Sequence, residues 1–346
     1  MAEFTGRQRV RAAYRREYAD RVPFYPIMGH CNAQLTGISI KDYLTDPRKC
    51  VEAQVRGYEK YKPDIVVMVG DLLKEAEAMG NVLKFPEDSI CISERVALED
   101  KGNLGKLRVP NPSTDGRLPT YLEMCRLAKE QIKDASVGGN VCGPWTIAIS
   151  LRDAESLLKD CRKDPEFVHA LMELTTEVSR TSALALATTG VGVSIGEPTA
   201  SCSLISPRLY REFIFPYHQK LFSQLRDAGL GLTIHVCGYA DPILEDLIET
   251  GVDAISIDFP SSLEQLVSLT SGKVVVIGNV NTRLFYTGAK EEMEAEVKRC
   301  IDTAAKGSRF ILSTGCEVPS IATEERIRWF MEAGEKYGAY PTSAVA

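Results

Sequence analysis

An α/β chain folded as one (β/α)8 TIM barrel is predicted by three features of the sequence. Short apolar runs recur eight times, and each is followed by a stretch with helical periodicity. The runs, Asp64-Ile-Val-Val-Met-Val-Gly70 among them, are too uniformly apolar for strands with one wet face, so they read as parallel strands buried on both sides. Helix starts are marked by Asp-Pro or Ser-Pro at Asp46-Pro47, Asp164-Pro165, Ser206-Pro207 and Asp241-Pro242. There the polar side chain caps free N–H groups, and proline occupies a first helical position whose own N–H needs no partner. An open, doubly wound sheet is the alternative arrangement.

In chain order, a charged helical extension occupies about residues 1–21, Val22 to Met28 forms the first strand, and Gly29-His30-Cys31 is its loop. A helix opened by Asp46 runs to about Tyr61, and Asp64 to Gly70 is the second strand. Residues 71–118 are broken by Gly80, Pro86, Gly102, Gly105, Pro110 and Pro112, with a strand-like piece at Ser89 to Ser93. So long a connection reads as an insertion after the second strand, roofing a site or decorating the surface. Pro119 opens the next helix, and Ala135 to Cys142 is the third strand, followed by Gly143-Pro144-Trp145. Two helical segments reach about Thr189, and Val191 to Ile195 is the fourth strand, ending in Gly196-Glu197-Pro198. The helix opened by Ser206 is divided by Pro216 and closed by Gly229. The fifth strand lies in the apolar run from Leu230 to Gly238, the sixth is Ala254 to Ile257, the seventh Val274 to Ile277 and the eighth Phe310 to Ser313. Helices near 261–270, 289–306 and 323–337 complete a single domain spanning residues 1–346.

The composition, 44% hydrophobic and 25% charged over 346 residues, is that of a globular domain with a full core. A net charge of −6 and the absence of a dense Lys/Arg run with interleaved aromatics argue against nucleic acid as a partner. No run approaches membrane-spanning length, and residues 1–21 lack the apolar centre of a signal peptide, so a cytoplasmic chain with no membrane partner is expected. In a reducing compartment the ten cysteines are small buried hydrophobes or ligands rather than a disulfide framework. Cys50, Cys125, Cys161 and Cys300 in helical patterns, and Cys91 and Cys142 in apolar stretches, belong to the first kind.

The chemistry concentrates in Thr233-Ile-His-Val-Cys-Gly238. Side chains alternate along a strand, so His235 and Cys237 point to one face and Ile234 and Val236 to the other. An imidazole beside a thiolate suits zinc, which takes N and S donors in a tetrahedron, and Cys316 in Ser313-Thr-Gly-Cys316 is the candidate third ligand. Barrel enzymes place their active residues where strands end, and Glu197, His235, Cys237 and Cys316 stand at the ends of the fourth, fifth and eighth strands. Glu197 reads as a displaceable fourth ligand or a proton acceptor, with a capping or salt-bridged carboxylate as the bland alternative. His30 and Cys31 read as loop packing, and His169 and His218 as surface or packing residues. Trp145, Asp71 and Asn279 at strand ends are candidates for lining a pocket.

The block Asp64–Gly80, Gly143-Pro-Trp-Thr146, Gly196-Glu-Pro-Thr-Ala-Ser201, and His235-Val-Cys237 with Gly315-Cys316 resemble the uroporphyrinogen decarboxylase superfamily over nearly the whole chain. Within it they are similar to the methylcobamide:coenzyme M methyltransferases. The resemblance implies a zinc held by His235, Cys237 and Cys316, an acidic residue at Glu197, and zinc-dependent methyl transfer between a corrinoid and a thiol such as coenzyme M. It departs from the decarboxylases in the first loop, where Ile27-Met-Gly-His-Cys31 carries no arginine to hold porphyrinogen carboxylates. The competing readings are a corrinoid-dependent demethylase of a methoxylated or other donor, a decarboxylase-like lyase, and a zinc-stabilised barrel without catalysis. The corrinoid, as methylcobalamin or on a corrinoid protein, is expected in trans. A corrinoid-domain Asp-x-His-x-x-Gly loop is excluded because Met28, Phe167, Pro216 and Thr233 stand two before the four histidines.

Overall fold

The computed structural model describes residues 4–341, and in it eight parallel strands surround one axis. The barrel strands are β1 (Phe24–Tyr25), β2 (Ile65–Met68), β5 (Ser136–Cys142), β6 (Gly192–Gly196), β7 (Thr233–Val236), β8 (Ala254–Ile257), β9 (Val275–Val280) and β10 (Phe310–Thr314). Strands β3 (Val82–Lys84) and β4 (Ile92–Arg95) form a separate antiparallel hairpin. The sheet runs β1-β10-β9-β8-β7-β6-β5-β2, and the backbone bond from Asp64 N–H to the Phe24 carbonyl, 2.9 Å, draws its two ends together. β1 is shorter than the apolar run Val22–Met28 because its ladder pairs only Phe24 with Leu312 and Tyr25 with Ser313.

The larger hydrophobic cluster lies between the strands and the outer helices, as burial of both strand faces requires. A smaller one fills part of the barrel interior, where Val10 and Ala13 of the N-terminal helix Gly6–Arg15 meet Ala254, Val275, Ile277 and Ile311. That helix is capped reciprocally by Thr5 and Gln8, and it is fastened to the start of β2 by Asp64, which pairs with Arg9 at 3.1 Å and Arg21 at 2.5 Å. No helix among the described residues is long and apolar enough to cross a membrane.

The insertion carries a short helix Lys74–Ala78, the β3–β4 hairpin and a 3₁₀ turn Lys101–Lys106. The strand-like piece expected at 89–93 is thus the second arm of a hairpin whose first arm, Val82–Lys84, carries no apolar alternation long enough to be seen. Arg117 ties the insertion down through Asp71 at 2.6 Å and Glu77 at 2.7 Å. Burial pushes the Asp71 carboxyl up, but Arg117 outweighs it, so folding holds Asp71 below the ordinary aspartate range. The pair therefore stabilises the insertion above the ordinary aspartate pKa of about 3.9 and loses that contribution as pH falls through the lower folded value. Hydrogen exchange in residues 71–118 is expected to accelerate below about pH 4, before the barrel strands respond, whereas simultaneous loosening of both would contradict this assignment.

Candidate metal centre

Strand alternation sets the centre. Ile234 and Val236 are fully buried under the outer helices, so Thr233 and His235 face the barrel interior, and Cys237 continues that face just past the strand end. His235 is in register with Ser256 on β8, and this alignment brings the Ser256 hydroxyl to 2.9 Å from His235 Nδ1. The other nitrogen, Nε2, lies 3.2 Å from Cys237 Sγ, which is 3.4 Å from Cys316 Sγ. Cys316 reaches this point because Gly315 precedes it: a Cβ there would stand 2.5 Å from the Phe259 nitrogen. Asp258 joins the loops after β7 and β8 by accepting hydrogen bonds from Gly238 N–H at 2.8 Å and Phe259 N–H at 2.7 Å.

The ligand atoms of His235, Cys237 and Cys316 all fall within 4.8 Å of one another. Tetrahedral zinc with bonds of about 2.3 Å to sulfur and 2.0–2.1 Å to nitrogen would set these N···S and S···S pairs roughly 3.6 and 3.8 Å apart. Those two pairs need only to open by a few tenths of an ångström, and the one imidazole and two sulfurs are donors of the right softness. The two sulfurs lie within hydrogen-bonding distance of each other. The Cys237 thiol, donating to Cys316, holds Cys316 well below the usual thiol range, with His235 adding to the effect. The same hydrogen bond, together with burial, pushes Cys237 up.

Glu197 is not among these ligand atoms. Its carboxylate is fully buried and accepts four hydrogen bonds: from Trp145 N–H at 3.0 Å, Thr146 N–H at 3.0 Å, the Thr146 hydroxyl at 2.8 Å and His218 Nε2 at 3.0 Å. Trp145 and Thr146 open the helix Pro144–Arg152, whose N-cap Gly143 has no side chain to offer. Glu197 caps that helix from the neighbouring strand, and a Cβ on Gly143 would stand 2.2 Å from its Oε1. These contacts match the capping carboxylate that the sequence offered as the alternative to a fourth ligand or proton acceptor. Of the surface or packing roles read for His218, the structure shows a packed one: the ring is fully buried between Glu197 and the Tyr210 hydroxyl, 3.0 Å from Nδ1. His169 is a packing residue, stacked on Phe213 and bonded to the Tyr217 hydroxyl at 2.9 Å.

His30 opens a helix, His30–Thr36, rather than lying in a loop. Its ring Nδ1 sits 2.9 Å from an oxygen of Glu317, the residue after Cys316, which also accepts the His30 backbone N–H at 2.7 Å. Cys31 is buried and its thiol is pushed up by burial, as expected for packing. Of the strand-end candidates for a pocket, Trp145 is fully buried, Asp71 is held by Arg117, and Asn279 donates to the carbonyls of Asp258 and Ser261. Ser256 was missed, though the one hydroxyl in the strand Ala254-Ile-Ser-Ile257 was its signal.

The sequence pattern of the uroporphyrinogen decarboxylase (URO-D) family matches residues 5–337. The chain belongs to this family. Within it, the chain is 24% identical over 345 residues to a methylcobamide:CoM methyltransferase MtbA of Methanosarcina mazei, covering 97% of this chain and 99% of the relative. It is 25% identical over 358 residues to a methylcobamide:CoM methyltransferase MtaA of Methanosarcina barkeri, covering 98% and 100%. A uroporphyrinogen decarboxylase of Prochlorococcus marinus is 25% identical over 309 residues, covering 86% of this chain and 85% of the relative. A methyltransferase structure from Methanosarcina mazei superposes with a TM-score of 0.87 at 23% identity, covering 97% and 99%, so this URO-D family member shares its fold.

Proposed function

We propose that this URO-D family member is a zinc-dependent methyltransferase that moves a methyl group from a corrinoid to a thiol such as coenzyme M. The observation that carries the reading is the convergence of His235, Cys237 and Cys316 from separate strand ends, with Ser256 on the far nitrogen of the histidine. The likeness to methylcobamide:CoM methyltransferases across the chain supports it. His235, Cys237 and Cys316 would hold the zinc, leaving one tetrahedral position open. Zinc bound there supplies a Lewis acid that keeps an incoming thiol deprotonated at neutral pH.

The chain's own part is placement. Ser256 fixes the ring of His235 so that Nε2 faces the sulfurs, Gly315 lets Cys316 close on Cys237, and Glu197 anchors the helix after β5. In the transfer, the thiolate lone pair forms the S–CH3 bond while the Co–CH3 bond breaks with its electron pair left on cobalt, so a thioether and a cob(I)amide result. Among the large exposed apolar side chains of the described residues, Leu72, Leu204, Tyr239, Tyr286 and Ile321 lie on connections that follow barrel strands, at the end of the barrel that carries the metal ligands. Exposed apolar side chains at that end are compatible with a donor delivered on a corrinoid protein as well as with free methylcobalamin.

The test is methylcobalamin demethylation by the purified chain with a panel of thiols. We expect a colourless protein without cobalt that forms an S-methyl thioether from at least one thiol. Stoichiometric cobalt would contradict delivery in trans. Release of carbon dioxide from a porphyrinogen, with no transfer from any methylcorrinoid, would favour the lyase reading. Methyl flow only from an ether to cob(I)amide would favour the demethylase. Replacing Ser256 by alanine is expected to weaken zinc binding about 10- to 100-fold in competition with a chromophoric chelator, since an imidazole without its outer hydrogen bond is a poorer ligand. Unchanged affinity would remove Ser256 from the account.

A further inference from the structure

The barrel is not filled at its other end. Interiors of such barrels are ordinarily packed by layers of branched side chains, and protein interiors leave few voids larger than a water molecule. Here the inner cluster of Ala254, Val275, Ile277 and Ile311 occupies the β8–β10 side. The opposite wall presents Gly138, Gly192, Ser194 and Thr233. A cavity of about 490 Å³ results, opening at the strand N-termini, opposite the metal-binding mouth. That volume lies in the range of about 300–1,000 Å³ typical of small-molecule sites.

The glycines do not stand alone in pointing to a ligand. Tyr14 and Tyr25 bring two aromatic rings to the cavity. The Tyr14 hydroxyl is paired with Thr233 Oγ1 at 3.1 Å, whereas the Tyr25 hydroxyl has no hydrogen-bond partner among the described residues. The rim carries Arg7 and Lys129. Arg7 gives an N–H to the Lys133 carbonyl, and none of Arg7, Lys129 and Lys133 forms an ion pair among the described residues. Burial, with Arg7 and Lys133 nearby, pushes the Lys129 ammonium below its ordinary range, as expected in an uncompensated positive field.

We infer that this lower cavity is a second binding site, separate from the metal centre, for a small amphipathic monoanion: an aromatic or branched apolar body seated against Tyr14 and Tyr25, with its acidic group at Lys129 and Arg7. The apolar walls remove the body from water, the unpartnered Tyr25 hydroxyl offers one hydrogen bond inside, and the rim cations fix the charged end.

The probe is 8-anilinonaphthalene-1-sulfonate, with neutral N-phenyl-1-naphthylamine as its uncharged counterpart, both followed by fluorescence on the folded full-length chain. Saturable binding of one equivalent of each is expected. A Cβ on Gly192 would meet its nearest neighbour at 3.8 Å and one on Gly138 at 3.7 Å, ordinary contacts at backbone angles that other residues adopt. Gly192→Val and Gly138→Val should therefore fold and fill the cavity, weakening both probes about tenfold or more without lowering the melting temperature. Lys129→Gln should weaken the sulfonate about fivefold and leave the neutral probe unchanged. Failure of either probe to saturate on the wild-type chain, or unchanged binding in both valine variants, overturns the site. Equal behaviour of the two probes toward Lys129→Gln overturns the anionic preference.

Discussion

Replacing Cys316 by alanine, or Cys237 by serine, is expected to yield a folded protein without zinc and without methyl transfer. Both cysteines sit just past strand ends, outside the fully packed core, so the fold does not depend on them. With two protein ligands left, zinc is no longer retained in a tetrahedral site. A free alkyl thiol of pKa about 8.5 is only about 3% ionised at neutral pH, so turnover falls roughly thirtyfold from thiolate population alone. The loss of orientation at the mouth lowers it further. Metal analysis and the demethylation assay on the same preparations check this, and full zinc occupancy in either variant would show that the ligand set is wrong.

The second large effect is structural. Glu197→Gln is expected to destabilise the chain by about 3 kcal/mol, because an amide nitrogen must then face donors that the carboxylate accepted, leaving a buried N–H without an acceptor. Gly143→Ala attacks the same contact from the other side, since its Cβ would stand 2.2 Å from Glu197 Oε1. Both variants should melt earlier and exchange faster over Pro144–Arg152 while keeping one zinc per folded chain. An unchanged melting temperature with lost turnover would instead return Glu197 to the chemistry.

The barrel was legible because its signals are local. The sixth strand, Ala254–Ile257, was read to the residue, and the third, fourth, fifth, seventh and eighth to within a few residues, since a strand buried on both faces carries an apolar run that nothing else in the chain imitates. The convergence of His235, Cys237 and Cys316 was legible for a similar reason: alternation fixes the first two, and the barrel places the ends of β7 and β10 on one face. Partners supplied from elsewhere in the chain were not. His218 lies 21 positions from Glu197, on the helix Phe215–Asp227, and its pairing depends on how that helix crosses the end of β6. Glu317 reaches His30 across 287 positions, through the closure of the barrel. No periodicity records such a meeting. The underfilled β5–β7 wall was written in Gly138, Gly192 and Thr233, but only the closed barrel turns small side chains into a cavity.

The central claim is that methyl transfer to a thiol requires zinc on His235, Cys237 and Cys316. The most direct measurement is the rate of thiol-dependent methylcobalamin demethylation as zinc is stripped by a chelator and restored in steps, with circular dichroism recorded at each step. The rate should rise in proportion to zinc and reach its maximum at one zinc per chain, with the fold unchanged throughout. Full activity in the zinc-free protein, or none with any thiol at full occupancy, would contradict it.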